Sequence, residues 1–359
     1  MPKSVYIHIP FCIKKCAYCS FLSGISPMFK ADYTDSLVKE IKKFYEGTFL
    51  NTIYFGGGTP SLLEPLEVKK ILDCFNFNKD CEITLEMNPK TANLEKLKAF
   101  FDIGINRISL GVQSFDDNIL KIAGRIHNSN EALKSIEDIK NAGFKNFSID
   151  LMYGLPHQTL KIWQNNLEQA KKLALPHISL YGLKIEQGSD FYSNPPKNLP
   201  DNDTQADMYE MALEVFNDYC HYEFSNFAKA KDFFSRHNLN YWNVEPYWGF
   251  GVAAAGFTGN KRYENENDFE KYLKNPTSDK NFYKTNLLEE HIFLGFRKSE
   301  GINKKEISEK FSIDFDEKYA NQLDKFISNG LIQKTLHGYK LTKTGVMLSN
   351  LVLCEFLDD

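Results

Sequence analysis

The strongest constraint in this chain is a rhythm. Short apolar runs recur at 5–9, 52–55, 82–86, 107–111, 147–153 and 178–183. Helix-like stretches lie between them, at 31–45, 65–75, 130–141 and 160–173. In the third, Glu131-Ala132-Leu133, Ile136 and Ile139-Lys140 repeat with the spacing of a half-buried helix, and Ala142-Gly143 is a stop signal. Strands that return roughly every 30 residues, each followed by a helix, predict βα units and a parallel sheet. Six units fall short of the eight that close a full barrel. On pattern alone, a six-stranded partial barrel and an open doubly wound sheet both fit.

Beyond residue 200 the text changes. A helix is expected over 203–219, with Asp201 or Asp203 near its start, and 216–263 carries 14 aromatic residues in 48 positions. Residues 265–284 are polar and predict a linker. After Leu287, short helices precede two strand-like runs, Leu331–Lys334 and Tyr339–Thr342, around His337-Gly338, which is how a small winged-helix module reads. The predicted organisation is therefore 1–200, an α/β partial barrel; 201–285, an aromatic-rich extension; and 286–359, a winged-helix-like domain. DNA binding by that last part has little support. Lys304, Lys305, Lys334, Lys340 and Lys343 are balanced by Glu306, Glu309, Asp314, Asp316 and Glu317, as on a solvated face.

Charge and hydropathy narrow the class. Lys plus Arg is 43 against 47 for Asp plus Glu, a net −4, which argues against an overall basic nucleic-acid binder. No apolar run reaches the roughly 18 residues of a membrane span, and the opening residues lack the apolar core of a signal peptide. The expectation is a soluble, cytoplasmic protein. Of seven cysteines, Cys74, Cys81, Cys220 and Cys354 are scattered and read as small buried hydrophobes. Cys12, Cys16 and Cys19 crowd onto the loop after the first strand. In a reducing compartment such a cluster means metal or catalysis, not disulfides. A zinc site wants four protein ligands, and only His8 offers itself as the fourth. A four-iron cluster on three cysteines leaves one iron open to a ligand that is not protein.

Polar and glycine-rich residues fall where the apolar runs stop. Gly56-Gly57-Gly58-Thr59-Pro60 follows the second, Glu86 ends the third, Gln113 follows the fourth and Asp150 lies within the fifth. In βα barrels the C-terminal strand ends form the active face, so these residues converge there. Alone, each is a turn or a cap; one per strand is a shelf.

The CxxxCxxC of Cys12, Cys16 and Cys19 resembles the radical S-adenosylmethionine (SAM) superfamily. Tyr6-Ile-His-Ile-Pro-Phe-Cys12 and Tyr54-Phe-Gly-Gly-Gly-Thr-Pro60 resemble its oxygen-independent coproporphyrinogen III oxidase branch and the related HemW-type haem chaperones, over nearly the entire chain. The resemblance implies a partial (β/α)6 radical SAM barrel holding a 4Fe–4S cluster. Its open iron would chelate SAM, and the reduced cluster would release a 5′-deoxyadenosyl radical. It further implies that Gly57, Gly58 and Thr59 meet the amino group of SAM. Tyr6 and Tyr18 would stand beside the cluster and the adenine, and Glu86, Gln113, Arg125 and Asp150 would make polar contacts, Arg125 to the SAM carboxylate.

Two departures separate the branches. The dehydrogenase enzymes carry a fourth cysteine two residues after the third, where this chain has Phe21, and an extension before the first strand, whereas Cys12 stands near the start. Both point toward the chaperones. So does His237-Asn238-Leu239-Asn240-Tyr241-Trp242, an HNxxYW motif that the resemblance ties to haem handling, with His237, Asn238, Tyr241 and Trp242 as the haem-binding candidates. Imidazole is a natural axial ligand. Tyr247 and Trp248 would add flat walls, and Lys229, Lys231, Arg236 or Arg262 would meet the propionates. The competing reading makes His237 a hydrogen-bonded histidine in an aromatic core. The implied partners are haem as cargo and a haem-accepting respiratory protein at a membrane, with a monomer or a cluster-dependent dimer as the assembly. Decarboxylation of coproporphyrinogen III is the alternative activity.

Overall fold

The computed structural model describes residues 1–357. Six parallel strands carry the first half: β1 (Ser4–Ile9), β2 (Leu50–Gly57), β3 (Phe77–Met87), β4 (Arg107–Gln113), β5 (Asn146–Tyr153) and β6 (His177–Gly182). The crossovers contain α1 (Lys30–Phe44), α2 (Pro65–Leu72), α3 (Leu94–Asp102), α4 (Asp117–Ile122) with α5 (Ser129–Asn141), and α6 (Leu160–Lys172). The six strands lie side by side in chain order. Right-handed crossovers in an order that never reverses put every helix on one face. A doubly wound sheet requires a reversal, so the partial barrel is the form adopted. Three short strands from the aromatic-rich stretch extend it to nine. β7 (Cys220–Glu223) pairs antiparallel with β8 (Asn226–Ala228), β8 pairs antiparallel with β6, and β9 (Trp248–Phe250) pairs parallel with β1.

The runs that read as uniformly apolar in fact alternate. Ile7, Phe55, Leu85, Ile108 and Phe147 lie in one register across five strands, almost fully buried among residues of the surrounding helices. One residue away, Tyr6, Tyr54, Thr84, Arg107 and Asn146 form the neighbouring register on the opposite face. The helix-facing surface is therefore a hydrophobic core, and the inner one is lined by polar side chains. The helices obey local rules. α5 starts with a capping box between Asn128 and Glu131 and stops before Gly143 at φ +100°. The later helix Asn202–Val215 is capped by Asp201, whose side chain accepts from Thr204 N at 2.8 Å.

The predicted linker is structured instead. It contains the helix Phe269–Lys274 and the strand Asn281–Tyr283, the latter in a three-strand sheet with Arg262–Glu264 and Ala255–Phe257. Its anchor is Lys280, whose ammonium lies 2.8 Å from Glu40 Oε1 on α1, with side-chain exposures of 3% and 1%. Glu40 also accepts from Tyr272 Oη at 2.7 Å, Gly251 N at 2.8 Å and Asn265 Nδ2 at 2.8 Å. Polar composition misled because the lysine and asparagine serve a buried carboxylate. The C-terminal part has its own core, including Ile292, Phe296, Leu323, Phe326, Val352 and Phe356. Its strands Ile302–Asn303, Ile332–Lys334 and Gly338–Leu341 make the hairpin expected of a wing. Among the described residues, no helix is long and apolar enough to cross a membrane.

Removing one member of a buried ion pair strands the other charge. Lys280→Met is expected to cost about 3 kcal/mol in denaturant unfolding; a change below the scatter of exposed substitutions would contradict the anchoring role.

Candidate functional site

The cysteine loop leaves β1 directly and is pinned on two sides. Ala17 N donates to Ala123 O at 3.1 Å, and Phe191 N donates to Ala17 O at 2.9 Å. Cys12, Cys16 and Cys19 are all partly exposed on this loop. Cys12 Sγ lies 3.4 Å from Thr59 Oγ1, and Arg125 Nη1 donates to Cys16 Sγ at 3.2 Å. Burial pushes the Cys12 thiol up, with the Thr59 hydroxyl opposing. His8 is no spare ligand. It is 5% exposed, and its ring nitrogens are occupied by Tyr6 Oη at 3.0 Å and Leu22 O at 2.8 Å. Among the described residues, no three His, Cys, Asp or Glu side chains converge as they would on a single metal ion.

The glycine run that ends β2 passes close under this loop. Gly57 has φ +107°, and a Cβ there would fall 2.5 Å from the His8 ring. A Cβ on Gly58 would fall 2.6 Å from Phe11 O, so only glycine allows this approach. The N–H groups of Gly57 and Gly58 are spent on Glu86 Oε2 (3.1 Å) and Ile9 O (2.8 Å). What this turn offers an incoming ammonium is therefore carbonyl oxygen.

The other predicted residues fall at different depths. Arg125 reaches across the strand ends to Cys16, Asn88 Oδ1 and Gly111 O, with its buried Nε unpartnered. Tyr18 lies against Cys16 and Arg125, and burial raises its hydroxyl pKa. Gln113 has φ +68° at a bulge that ends β4, where its amide and the Arg125 guanidinium flank Gly111. Glu86 accepts from Tyr54 Oη at 2.7 Å, and burial lifts its carboxyl to about 7. Burial lifts Asp150 to about 6, opposed by Ser179, Arg107 and the Ser109 hydroxyl 3.2 Å away. Tyr6 stands within the barrel, stacked on Tyr54 at 6.2 Å, and not on the cysteine loop. Asn88 escaped the sequence reading although it ties Thr59 (2.8 Å) to Arg125. Its signal was its place two residues beyond Glu86, on the same face of an extended chain.

The HNxxYW segment lies at the other end of the strands. It forms the short helix Arg236–Trp242, whose first N–H groups meet the Glu82 carboxylate: Arg236 N and His237 N donate at 3.0 Å each. His237 is 1% exposed. Its Nδ1 lies 2.8 Å from Thr52 Oγ1 and its Nε2 lies 2.8 Å from Tyr241 Oη, and its ring stacks on Tyr54 at 4.9 Å. Burial and the nearby Arg107 charge push its pKa down to about 3, so the ring is neutral at ordinary pH. In this conformation His237 is a satisfied histidine and presents no free nitrogen to a ligand. Asn238 is half-buried, its N–H on Ser235 Oγ at 3.4 Å. Tyr241 and Trp242 line a cavity of about 220 Å³ together with Tyr247 and Arg262. Lys229 and Arg236 are occupied by the carbonyls of Ala174 and Asp80.

A singly wound barrel with three thiols at its first strand end and a glycine turn beneath them defines a radical SAM protein. The Radical SAM superfamily model matches residues 6–183, and the HemN C-terminal domain model matches residues 283–348. The chain is 37% identical to "Heme chaperone HemW" of Lactococcus lactis, covering 100% of this chain and 98% of that one. It is 36% identical to its Bacillus subtilis counterpart, covering 99% and 100%. The Escherichia coli counterpart is 40% identical over 71% of this chain and 70% of that one. The chain belongs to the HemW family of the radical SAM superfamily. Its fold matches the solved structure of Escherichia coli coproporphyrinogen III oxidase (HemN) with a TM-score of 0.85, at 22% identity, covering 99% of this chain and 90% of that one.

A carboxyl held at about 7 against an ordinary 4.5 is stabilised in its neutral form. Its contribution is full below pH 4.5 and is lost as pH rises through 7. Glu86→Gln keeps the neutral form. Cluster-free Glu86→Gln protein should therefore unfold at higher denaturant than the parent at pH 8, with a shallower stability slope between pH 4.5 and 7. An unchanged slope would contradict the assignment.

Proposed function

We propose that this chain is a haem chaperone, which binds haem and passes it to an acceptor protein while carrying a SAM-binding 4Fe–4S cluster. The observation that carries this reading is end-to-end likeness, at 36–37% identity, to proteins called heme chaperone HemW. Phe21 supports it: the position two residues after Cys19 holds an exposed phenylalanine, 64% accessible, where the oxidase branch has a cysteine.

The residues present fit the cluster. Three partly exposed thiols on one pinned loop supply three ligands, and the unpartnered Arg125 Nε beside them marks a place for an anionic group. Cys12, Cys16 and Cys19 would hold the cluster, which when bound supplies a low-potential electron to SAM on its open iron. Arg125 would bind the SAM carboxylate, and the glycine turn's carbonyls with Thr59 would receive its ammonium. Glu86, Gln113 and Asp150 would take ribose hydroxyls and Tyr18 the adenine. Tyr6 would act from below, through His8. The acceptor we infer is a respiratory haem protein at a membrane, met from the cytoplasm by a monomer or a cluster-dependent dimer. For haem we retain His237, Asn238, Tyr241 and Trp242, with the condition that His237 must first give up Tyr241 or Thr52.

The test is anaerobic reconstitution followed by two assays on one preparation. Coproporphyrinogen III with SAM and reductant should give no protoporphyrinogen, and haem titration should give a shifted Soret band that His237→Ala weakens. Robust turnover would reject the chaperone reading, and an unchanged spectrum in His237→Ala would remove that residue. Cys16→Ser should lose the brown cluster and its acid-labile sulfide; a full iron and sulfide content would overturn the ligand assignment.

A further inference from the structure

The motif helix presents His237 to the barrel and Tyr241 and Trp242 to a cavity on its other side. That cavity, about 220 Å³, is walled by Tyr241, Trp242, Tyr247, Phe257 and Leu294, with Arg262 at its polar edge. It is smaller than the roughly 300–1,000 Å³ of pockets that enclose a whole ligand, so it takes the edge of a larger flat molecule. Trp242 Nε1 is buried at this helix and has no hydrogen-bond partner among the described residues. Arg262 is held by a carboxylate from the C-terminal part. Its Nε and Nη2 donate to Glu290 Oε1 at 2.7 Å and Oε2 at 2.9 Å. Glu290 belongs to the helix Leu287–Arg297, whose last residue lays its guanidinium on the Trp242 ring, 4.3 Å from the centroid.

We propose that this cavity is the entry site for a propionate-bearing edge of haem, that Arg262 is its carboxylate anchor, and that Glu290 is an internal competitor holding the anchor until cargo arrives. The inference rests on the haem-chaperone reading and adds a place and a mode of entry. The two-pronged grip of Arg262 on Glu290 is the geometry a propionate would adopt. The aromatic walls suit a pyrrole face, and a carboxylate-for-carboxylate exchange leaves no charge unpaired on Arg262. Tyr241 joins the cavity to the motif, because the ring that forms its wall carries the hydroxyl on His237 Nε2. A planar ligand that pushes this ring aside frees the imidazole nitrogen. Departure of Glu290 also removes a tie between the helix Leu287–Arg297 and the three-strand sheet that carries Arg262, so loading loosens that contact.

The test is equilibrium titration with haem and, in parallel, haem dimethyl ester, on the full-length parent, Arg262→Gln, Arg262→Lys and Glu290→Gln. Arg262→Gln should weaken haem about tenfold, the scale of a lost charge-assisted pair, and Arg262→Lys should recover part of it. Glu290→Gln should tighten haem several-fold, a gain that misfolding cannot produce. The ester should respond to none of these changes. Haem binding that ignores both Arg262 and Glu290, or an ester that follows haem through every variant, overturns this site and leaves the chaperone reading standing. Failure of the parent to bind either ligand overturns both.

Discussion

Everything in this molecule depends on a sheet whose strand order never turns back. All the crossovers then pack on one side, and the opposite side of each strand is left to face its neighbours across a lumen. Apolar residues such as Ile7, Phe55 and Leu85 are committed to the helices. Tyr54, Glu86, Arg107 and Asp150 have nowhere to go but inward, where burial raises both carboxyls. A polar interior is costly unless its groups meet one another or a ligand. Part of this one is unpaired: Thr84 Oγ1, Arg107 Nε and His177 Nδ1 are buried without partners among the described residues.

The two ends of that lumen are treated differently. At the carboxyl end, loops bring thiols, a glycine turn and Arg125 together while keeping the cysteines partly exposed. At the amino end, the motif helix acts as a stopper. Glu82 caps it, Thr52 and Tyr54 grip His237, and Asn240 Nδ2 donates to Ser4 Oγ at 2.6 Å. The helix Leu287–Arg297 then braces the stopper from outside through Arg297, whose guanidinium lies on the Trp242 ring and whose Nε also meets the fully buried Glu223 at 2.9 Å.

Much of this was legible from the residues. The βα rhythm gives the six strands and their helices because backbone periodicity is local, and the cysteine spacing gives a three-thiol loop. The polar residues read from the strands, Glu86, Gln113 and Asp150, all belong to the barrel strands but sit at different depths, Asp150 within β5 and Gln113 at the bulge that ends β4, because sequence position names the strand and not how far along the lumen each side chain stands. What failed was long-range. The segment 265–284 looked like a linker because Lys280 and Asn265 are polar, and no local signal reveals that their partner is Glu40, more than two hundred residues earlier. The competing reading of His237 as a hydrogen-bonded histidine in an aromatic core matches this conformation, but its distant partner Thr52, 185 residues earlier, had no local signal. Asn88 was missed because an Asn before a proline reads first as a turn.

The proposed cluster and haem sites lie at opposite ends of the barrel. From Thr52 to Gly57 alone, β2 climbs about 16 Å. A dipolar electron paramagnetic resonance measurement on protein loaded with both the reduced cluster and ferric haem tests this most directly. A separation between the two centres of more than about 15 Å is the expected result. Centres in near contact, with haem seated over the cysteine loop, would contradict the account.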